Sequence, residues 1–387
     1  MKIVVAVMSY YPHEGGVQTV TKYLAEGLAE KGHEVVVMTV RSAGDVREES
    51  YRGVKIKRYD VGSFMKIVPQ GETKAFRTAL LEECQDADAF VNVCGNTPLA
   101  ILVYQEISHI RCKKVLHQHG MFDGRFHFDQ CRTMKDFMKM LVMTPFWELF
   151  HRHYWDKITQ FDACIHLFEN DSSHHYFKAH GYHHNHVVMN SCESTFFDGQ
   201  GDKTVLVKYH INRPYYIYVA NYCQRKDQLR AISTYSKSDC KNMDLVLVGS
   251  TLNKYYSMVQ SVLETSSKRD RIHLLSSIPR QDTIDLIKNS YACLITSNYE
   301  YLPISIIEAM ACGKPFISTD VGVVRNIPGG KVCRSDQELI YWLRYYEENP
   351  ALVVQTGSVA RDYARERCYL PDIINQVEAI CYPNTNR

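Results

Sequence analysis

The sequence predicts an α/β protein in which two domains each contain a doubly wound sheet of parallel strands. Apolar runs of strand length recur along the 387 residues, and they are continuous rather than alternating, which is typical of strands buried on both faces. Segments with helical spacing of apolar residues separate these runs. The pattern stops in a polar, glycine-containing segment at residues 191–204 and then starts again, so we expect two consecutive α/β domains.

The first strand–helix–strand unit begins with the apolar run at residues 2–9. A glycine-containing loop leads into a helix whose apolar residues recur at near-helical spacing from Val17 to Leu28, and Gly32 is suited to end it. A second apolar run follows at residues 33–40. This order predicts the start of a parallel sheet, because parallel neighbours need a crossover connection.

The remaining strands are predicted from apolar runs of the same kind. In the first half they lie at residues 89–93, 114–119, 162–167 and 186–190. In the second half they lie at residues 215–220, 244–250, 271–275, 291–297 and 315–320. We therefore place a first domain at residues 1–193 and a second at residues 194–370, and we expect ligands beyond the carboxyl ends of the strands.

The composition excludes several classes of protein. A hydrophobic fraction of 45% describes a globular chain rather than a disordered one, and a formal net charge of +2 predicts no nucleic-acid partner. The 13 cysteines are scattered and form no C-x-x-C pair, so we expect reduced thiols and a cytoplasmic protein. The apolar run at the start is too short for a signal peptide, and no run reaches the roughly 18 apolar residues of a spanning helix.

The strongest candidate site follows the strand predicted at residues 291–297. Glu300 lies in the loop at the carboxyl end of this strand. Pro303 suits the first turn of a following helix, and Gly313 suits the position just after its end. Glu308 then lies about one turn into the helix.

The chemistry of this stretch allows two interpretations. The helix N-terminus offers backbone N–H groups and a positive dipole end to an anion such as a diphosphate, and Glu308 could accept hydrogen bonds from the hydroxyls of a ribose. Alternatively, Glu300 is a solvated loop residue and Glu308 is a glutamate that favours the helix dipole. The residue chemistry alone leaves both interpretations open.

The run "EYLPISIIEAMACGKPFISTDVG", residues 300–322, resembles the E-x7-E signature of the retaining GT-B glycosyltransferases of family 4 (glycosyltransferase group 1). The resemblance implies a GT-B fold, with two Rossmann-like domains facing a cleft. It implies that Glu300 lies against the donor sugar and that Glu308 binds the nucleotide ribose. Pro303 and Ile304, at the helix N-terminus, would then lie in the donor-binding site.

The resemblance extends to the first half of the chain. The glycine loop with Gly15 and Gly16 is similar to the loop whose backbone approaches the donor diphosphate in that family, although a simple strand–helix turn would also explain it. His119 matches the histidine that faces the donor sugar in the family, and His117 is its rival, because alternate residues of a strand face the same side.

The segment "YVANYCQRKDQ", residues 218–228, resembles the family's V-G-R-L-x-x-x-K-G segment. Lys226 matches the lysine that neutralises the donor phosphates. The usual arginine is replaced by Asn221, and Arg225 could supply the missing charge. Tyr301 stands where the family usually has glycine, so the identity of the donor sugar is not carried over.

We therefore expect a retaining glycosyltransferase that moves a hexose from a nucleoside diphosphate sugar to an acceptor hydroxyl, with UDP favoured over GDP. The resemblance implies no cofactor and no metal ion, and it places such enzymes in the biosynthesis of cell-surface polysaccharides or glycolipids. The catalytic candidates are Glu300 and His119. The alternatives are a nucleotide-sugar epimerase of GT-B fold and a non-catalytic binding subunit, for which the missing arginine at Asn221 argues.

Two further segments concern partners and domain organisation. Residues 132–157 are basic and rich in methionine and aromatic residues, so they are compatible with a segment at the inner membrane surface, near a saccharide or lipid-linked acceptor. An ordinary pair of core helices is the alternative. The resemblance implies that the tail at residues 371–387 packs back on the first domain. Histidines 174, 175, 180, 183, 184 and 186 show no ligand periodicity and are expected on a solvated surface.

Overall fold

The structure is a computed structural model, and it describes residues 1–13, 15–65, 67–120, 134–169, 171–250 and 252–383. The chain divides into two units, the first comprising Met1–Met189 with Pro371–Arg387 and the second comprising Asn190–Leu370. Each unit is built on a sheet in which nearly all strands are parallel. The predicted α/β class is confirmed.

The first unit contains an eight-stranded sheet with the order β10-β9-β8-β7-β1-β2-β4-β3, in which only β3 is antiparallel to its neighbour, and a separate two-stranded hairpin, β5-β6. Its strands are β1 (Lys2–Val7), β2 (Glu34–Val40), β3 (Glu48–Tyr51), β4 (Val54–Tyr59), β5 (Val61–Phe64), β6 (Val68–Gly71), β7 (Ala89–Val93), β8 (Lys113–His117), β9 (Ala163–His166) and β10 (Asn185–Val187). Its helices are α1 (Gly16–Glu30), α2 (Thr73–Glu83), α3 (Pro98–Glu106), α4 (Met134–Ile158), α5 (Ser172–Ala179) and α13 (Leu370–Cys381).

The strands predicted in the first unit correspond to β1, β2 and β7–β10, six of the eight strands of its large sheet. β1, β2 and β7 are buried almost throughout, as their continuous apolar sequences predict. The sequence did not predict β3, β4 or the hairpin, because β4 alternates buried and accessible residues and the other three are mostly accessible four-residue strands. Local apolar runs thus identified the strands buried on both faces and the edge strand β10, but they missed the accessible strands near the other edge.

Helix α13 lies against α1 within the first unit. A Cβ atom added at Gly27 would lie 2.1 Å from Cδ1 of Ile374, so the two helices touch where α1 has no side chain. Glu378 accepts hydrogen bonds from Lys31 and from His33, the latter at 2.6 Å. The last helix is thereby fixed to the first by both packing and charge.

Helix α4 carries apolar residues on two faces. On one face Trp147 and Phe150 are buried with Ile101 of α3. Among the described side chains of the helix, the exposed apolar residues are Met134, Met138, Leu141, Val142, Phe146 and Leu149. Residues 132 and 133 of the segment singled out in the sequence lie outside the described residues. The described part is therefore a single helix packed on one face rather than a pair of core helices.

The histidine-rich region lies on and after α5. His175, His180, His183, His184 and His186 are exposed, and His174 is partly exposed. The prediction of a solvated surface is confirmed.

No helix within the described ranges is long and apolar enough to cross a membrane.

The second unit contains a six-stranded parallel sheet with the order β13-β12-β11-β14-β15-β16. Its strands are β11 (Tyr215–Val219), β12 (Asp244–Gly249), β13 (Ile272–Ser276), β14 (Ala292–Ile295), β15 (Phe316–Thr319) and β16 (Gly330–Cys333). Its helices are α6 (Thr204–Lys208), α7 (Gln228–Lys237), α8 (Lys254–Glu264), α9 (Arg280–Asn289), α10 (Ile304–Ala311), α11 (Asp336–Glu348) and α12 (Pro350–Arg367). All five strands predicted here are present, and only β16 was not predicted.

The end of α10 packs against α12 at two glycines. Gly313 follows the C-cap residue Cys312 with φ of 70°, so the predicted glycine after the helix is confirmed. A Cβ atom at Gly357 of α12 would lie 2.2 Å from the carbonyl oxygen of Gly313. This close approach of backbones fixes α10, and with it the glutamate that α10 carries.

The substitution Gly357→Ala is expected to destabilise the protein. The added methyl meets a backbone carbonyl that cannot rotate away, and such overpacking typically costs about 1–3 kcal/mol. The better helix propensity of alanine offsets at most about 1 kcal/mol of this. We expect a lower unfolding midpoint in urea and on heating. The exposed neighbour Ser358 provides the control, since Ser358→Ala should leave the midpoint nearly unchanged.

Candidate functional site

Helix α10 begins at the carboxyl edge of the second sheet, where the loop at residues 296–303 leaves β14. Pro303 is the N-cap of the helix, one position earlier than the first turn predicted for it, and it contributes no capping side chain. The amides of Ile304 and Ser305 are therefore at the start of the helix with its positive dipole end. Glu308, further along α10, is buried.

The loop that carries Glu300 is braced by neighbouring segments. The Asn298 amide donates to the carbonyl of Arg225 at 2.8 Å. On the other side the Val323 amide donates to the carbonyl of Tyr301 at 3.0 Å. Gly322 has φ of 53°, and a Cβ atom there would lie 2.0 Å from that same carbonyl oxygen. Only glycine fits this position without moving the loop.

Glu300 forms an ion pair with Lys226. The two side chains are only 9% and 18% exposed, respectively, so each charge is largely removed from water and depends on the other. Lys226 comes from the loop between β11 and α7, and the Thr296 hydroxyl donates to the carbonyl of Asp227 in that loop at 2.8 Å. The structure therefore brings together the lysine and the first glutamate predicted from the sequence.

Asn221 and Arg225 lie in the same loop and are exposed. The side-chain oxygen of Asn221 accepts a hydrogen bond from the Ser250 hydroxyl at 2.5 Å, and its carbonyl accepts one from Gln228 at 3.1 Å. Asn221 thus joins the loops after β11 and β12. Its side chain brings no positive charge.

Glu308 forms an ion pair with Arg280, which the sequence analysis did not single out. Nη2 of Arg280 lies 2.6 Å from Oε1 of Glu308 and 3.1 Å from Oε1 of Glu193. Arg280 is the first residue of α9, directly after Pro279. The sequence did contain a signal for Arg280 as a candidate site residue. This arginine begins the helix after β13 and therefore lies beyond the carboxyl end of a strand, where ligands bind in such sheets. Its partner could not be inferred from sequence spacing.

The predicted residues of the first unit are Gly15, Gly16 and His119. Gly15 is the N-cap of α1 with φ of 172°, an extended conformation open to any residue. A Cβ atom there would meet only the end of the flexible Gln18 side chain, at 2.4 Å. Gly16, the first residue of α1, is exposed. The fold of this turn does not itself require a glycine at position 15.

His119 lies two residues beyond β8, next to His117, with ring centroids 4.3 Å apart. Burial lowers the pKa of His119 to about 4 and lowers that of His117 well below its usual value. Within the described residues, Nε2 of His119 is buried without a hydrogen-bond partner. His119 is therefore a neutral imidazole at neutral pH with unused hydrogen-bonding capacity.

Two family models match the chain. Residues 207–332 match the model described as Glycosyl transferases group 1, and residues 14–160 match the model described as Glycosyltransferase Family 4. The first match contains Lys226, Arg280, Glu300 and Glu308, and the second contains Gly15, Gly16 and His119.

Several solved structures are similar over nearly the whole chain. Sucrose-phosphate synthase from Thermosynechococcus elongatus has a TM-score of 0.75 at 14% identity, with 98% of each chain covered. HepE from Anabaena in complex with UDP-glucose has a TM-score of 0.73 at 16% identity, again with 98% of each covered. WaaG, a glycosyltransferase involved in lipopolysaccharide biosynthesis, has a TM-score of 0.69 at 17% identity, with 100% of both covered. The GT-B fold predicted from the sequence is confirmed.

Acid is expected to destabilise the protein through His119. Its folded pKa of about 4 lies below the ordinary value of 6.5, so the unfolded chain takes up the proton first as the pH falls. Stability is then lost between pH 6.5 and 4, and the loss from pH 7 to pH 5 is about 2 kcal/mol for this one group.

Urea unfolding of the wild type and of His119→Gln at pH 7 and pH 5 measures this effect. The variant should lose less stability than the wild type over this interval. His175→Gln, at an exposed histidine of the same unit, is the control and should keep the wild-type pH dependence. An equal loss in the wild type and in His119→Gln would contradict the buried, neutral state of His119.

Proposed function

Because the chain belongs to the group 1 glycosyltransferases, we propose that it transfers a hexose from a nucleoside diphosphate sugar to an acceptor hydroxyl with retention of configuration. The observation that carries this proposal is the pairing of both motif glutamates with cations at one edge of the second sheet. Lys226 pairs with Glu300, and Arg280 pairs with Glu308. These are the charges that a donor's phosphates and hydroxyls would engage.

In the proposed complex the donor diphosphate lies at the N-terminus of α10 and contacts Lys226. Negative charge accumulates on the diphosphate as the glycosidic bond breaks, so Lys226 and the helix dipole stabilise the transition state more than the ground state. Because these groups supply positive charge from the protein itself, we propose that the reaction needs no metal ion. We favour UDP as the nucleotide, in line with the UDP-glucose complex of HepE.

Glu300 is proposed to accept hydrogen bonds from the donor sugar and to stabilise positive charge that develops on it. A phosphate oxygen of the leaving diphosphate then removes the proton of the acceptor hydroxyl. The role predicted for His119, a hydrogen bond to the donor sugar, stays a proposal. The low pKa of His119 makes it a neutral hydrogen-bonding group rather than an acid.

We also propose that α4 contacts the cytoplasmic surface of a membrane and that the acceptor is a saccharide or a lipid-linked saccharide of cell-surface polysaccharide or glycolipid biosynthesis. The exposed apolar residues of α4, including Leu141 and Leu149, support this proposal, because apolar side chains of a surface helix can insert into the headgroup region. Arg152, exposed on the same helix, could approach anionic headgroups.

The donor proposal is tested by thermal stabilisation and nucleotide release across a panel of UDP-, GDP- and ADP-sugars. A bound donor raises the melting temperature by mass action, and turnover releases the nucleoside diphosphate. We expect the largest effects with a UDP-hexose. Glu308→Ala should weaken donor binding about tenfold or more by removing a charged hydrogen-bond acceptor. Glu300→Ala should lower turnover more than affinity.

The anomeric configuration of the product, read by NMR, decides between retention and inversion. Unchanged kinetics in both glutamate variants would contradict the proposed site. Interconversion of nucleotide sugars without transfer would indicate an epimerase, and donor binding without turnover would indicate a binding subunit.

The membrane proposal is tested by flotation with vesicles of phosphatidylcholine and phosphatidylglycerol. The wild type should float with the vesicles, and the double substitution Leu141→Asn and Leu149→Asn should weaken partitioning about tenfold or more, since each inserted leucine contributes up to about 1.5–3 kcal/mol. Val354→Asn, at an exposed apolar residue of the second unit, is the control. Equal flotation of wild type and double variant would show that α4 does not carry the contact.

A further inference from the structure

Three charged side chains of the second unit form two linked ion pairs that share one arginine. Glu193 lies at the start of the short 3-10 helix Ser194–Phe196, Arg280 begins α9, and Glu308 lies within α10. Arg280 donates to both carboxylates, at 3.1 Å to Glu193 and at 2.6 Å to Glu308. Glu308 is thus held by Arg280, which lies outside both segments that resemble family motifs, residues 300–322 and 218–228.

Arg280 engages only one oxygen of Glu308. The bond from Nη2 goes to Oε1, and across the described residues Oε2 has no hydrogen-bond partner. The Glu308 side chain is only 5% exposed. Oε2 can therefore accept a hydrogen bond from a ligand hydroxyl, and a carboxylate in a largely buried side chain gains more from such a bond than one in bulk water.

Glu193 and Phe196 also hold the Arg280 side chain in place. Both its Nε and its Nη2 donate to Oε1 of Glu193, at 3.3 and 3.1 Å. Its guanidinium lies 5.1 Å from the centroid of the Phe196 ring, which is buried. A long side chain that is fixed on two sides loses little further freedom when it orients a third group.

We propose that Arg280 is a positioning residue of the donor site: it holds the Glu308 carboxylate through Oε1, so that Oε2 accepts a hydrogen bond from the 2′ hydroxyl of the nucleotide ribose. Glu193 fixes Arg280 in turn. This inference rests on the proposed function and deepens it. It predicts that the site prefers ribonucleotides over 2′-deoxyribonucleotides, and it assigns this preference to Glu193, Arg280 and Glu308. A direct contact of Arg280 with the phosphates is the competing arrangement.

The two arrangements differ in their effect on a ribonucleotide and its deoxy analogue. If Arg280 acts through Glu308, its removal weakens UDP binding but hardly changes the binding of 2′-deoxy-UDP, which lacks the 2′ hydroxyl. If Arg280 contacts the phosphates, its removal weakens both ligands equally. A general loss of folding lowers the active fraction for both ligands and leaves the ratio of their dissociation constants unchanged.

The experiment is calorimetric titration of UDP and 2′-deoxy-UDP into the wild type, Arg280→Met, Arg280→Lys and Glu193→Gln. The wild type should bind UDP about tenfold more tightly than 2′-deoxy-UDP, the effect of one hydrogen bond to a charged group. In Arg280→Met the ratio should approach one, mainly through weaker UDP binding. Arg280→Lys should keep part of the preference, and Glu193→Gln should lower it.

The matched control is Arg344→Met, which removes an exposed arginine paired with Glu348 on α11 and should leave both dissociation constants unchanged. An unchanged ratio in Arg280→Met, an equal loss for both ligands, or a wild type without preference would overturn the inference. If Arg280→Met does not fold, Arg280→Lys and Glu193→Gln carry the same test. Failure of the wild type to bind UDP, GDP and ADP as well as their sugar conjugates would overturn the proposed function itself, and the inference with it.

Discussion

Two buried carboxylates set the organisation of the site in the second unit. Glu300 and Glu308 are 8% and 3% exposed, and an ionised carboxylate loses much of its hydration at such burial unless a cation and hydrogen bonds replace it. Each glutamate therefore needs a cation delivered by another segment of the chain. Lys226 comes from the loop after β11 and Arg280 from the start of α9. Three βα connections are joined at the carboxyl edge of one sheet by this requirement.

The backbone around these pairs is arranged to keep them in place. The loop after β14 is bonded to the loop after β11 through Asn298 and Arg225, and to the loop after β15 through Tyr301 and Val323. Helix α10 is fixed at its far end, where Gly313 and Gly357 allow α10 and α12 to touch. In the proposed complex a donor would meet charged groups whose positions are already determined, so less ordering would accompany binding.

The sequence predicted the parts of this arrangement that local patterns encode. Continuous apolar runs identified the buried strands, and the spacing of Pro303, Glu308 and Gly313 identified α10 before its packing was known. The pairing of Glu308 with Arg280 was not predictable, because 28 residues separate the partners and no periodicity links a helix start to a residue inside the next helix. The edge strand β3 was not predicted either, because it is short and carries no apolar run.

The charges of the candidate site show what asparagine at position 221 changes. Lys226 and Arg280 balance Glu300 and Glu308, and Glu193 adds a further negative charge. With asparagine at position 221, the side chain there adds no positive charge, and the start of α10 and the exposed Arg225 are further sources of positive potential beside these ion pairs. In the proposed complex a donor would share Lys226 with Glu300, which is favourable when the sugar hydroxyls donate to that glutamate in exchange. Under the same proposal a nucleotide without its sugar would be a weaker ligand, because its diphosphate would compete with Glu300 for Lys226 while Glu300 would gain no hydrogen bonds from a sugar.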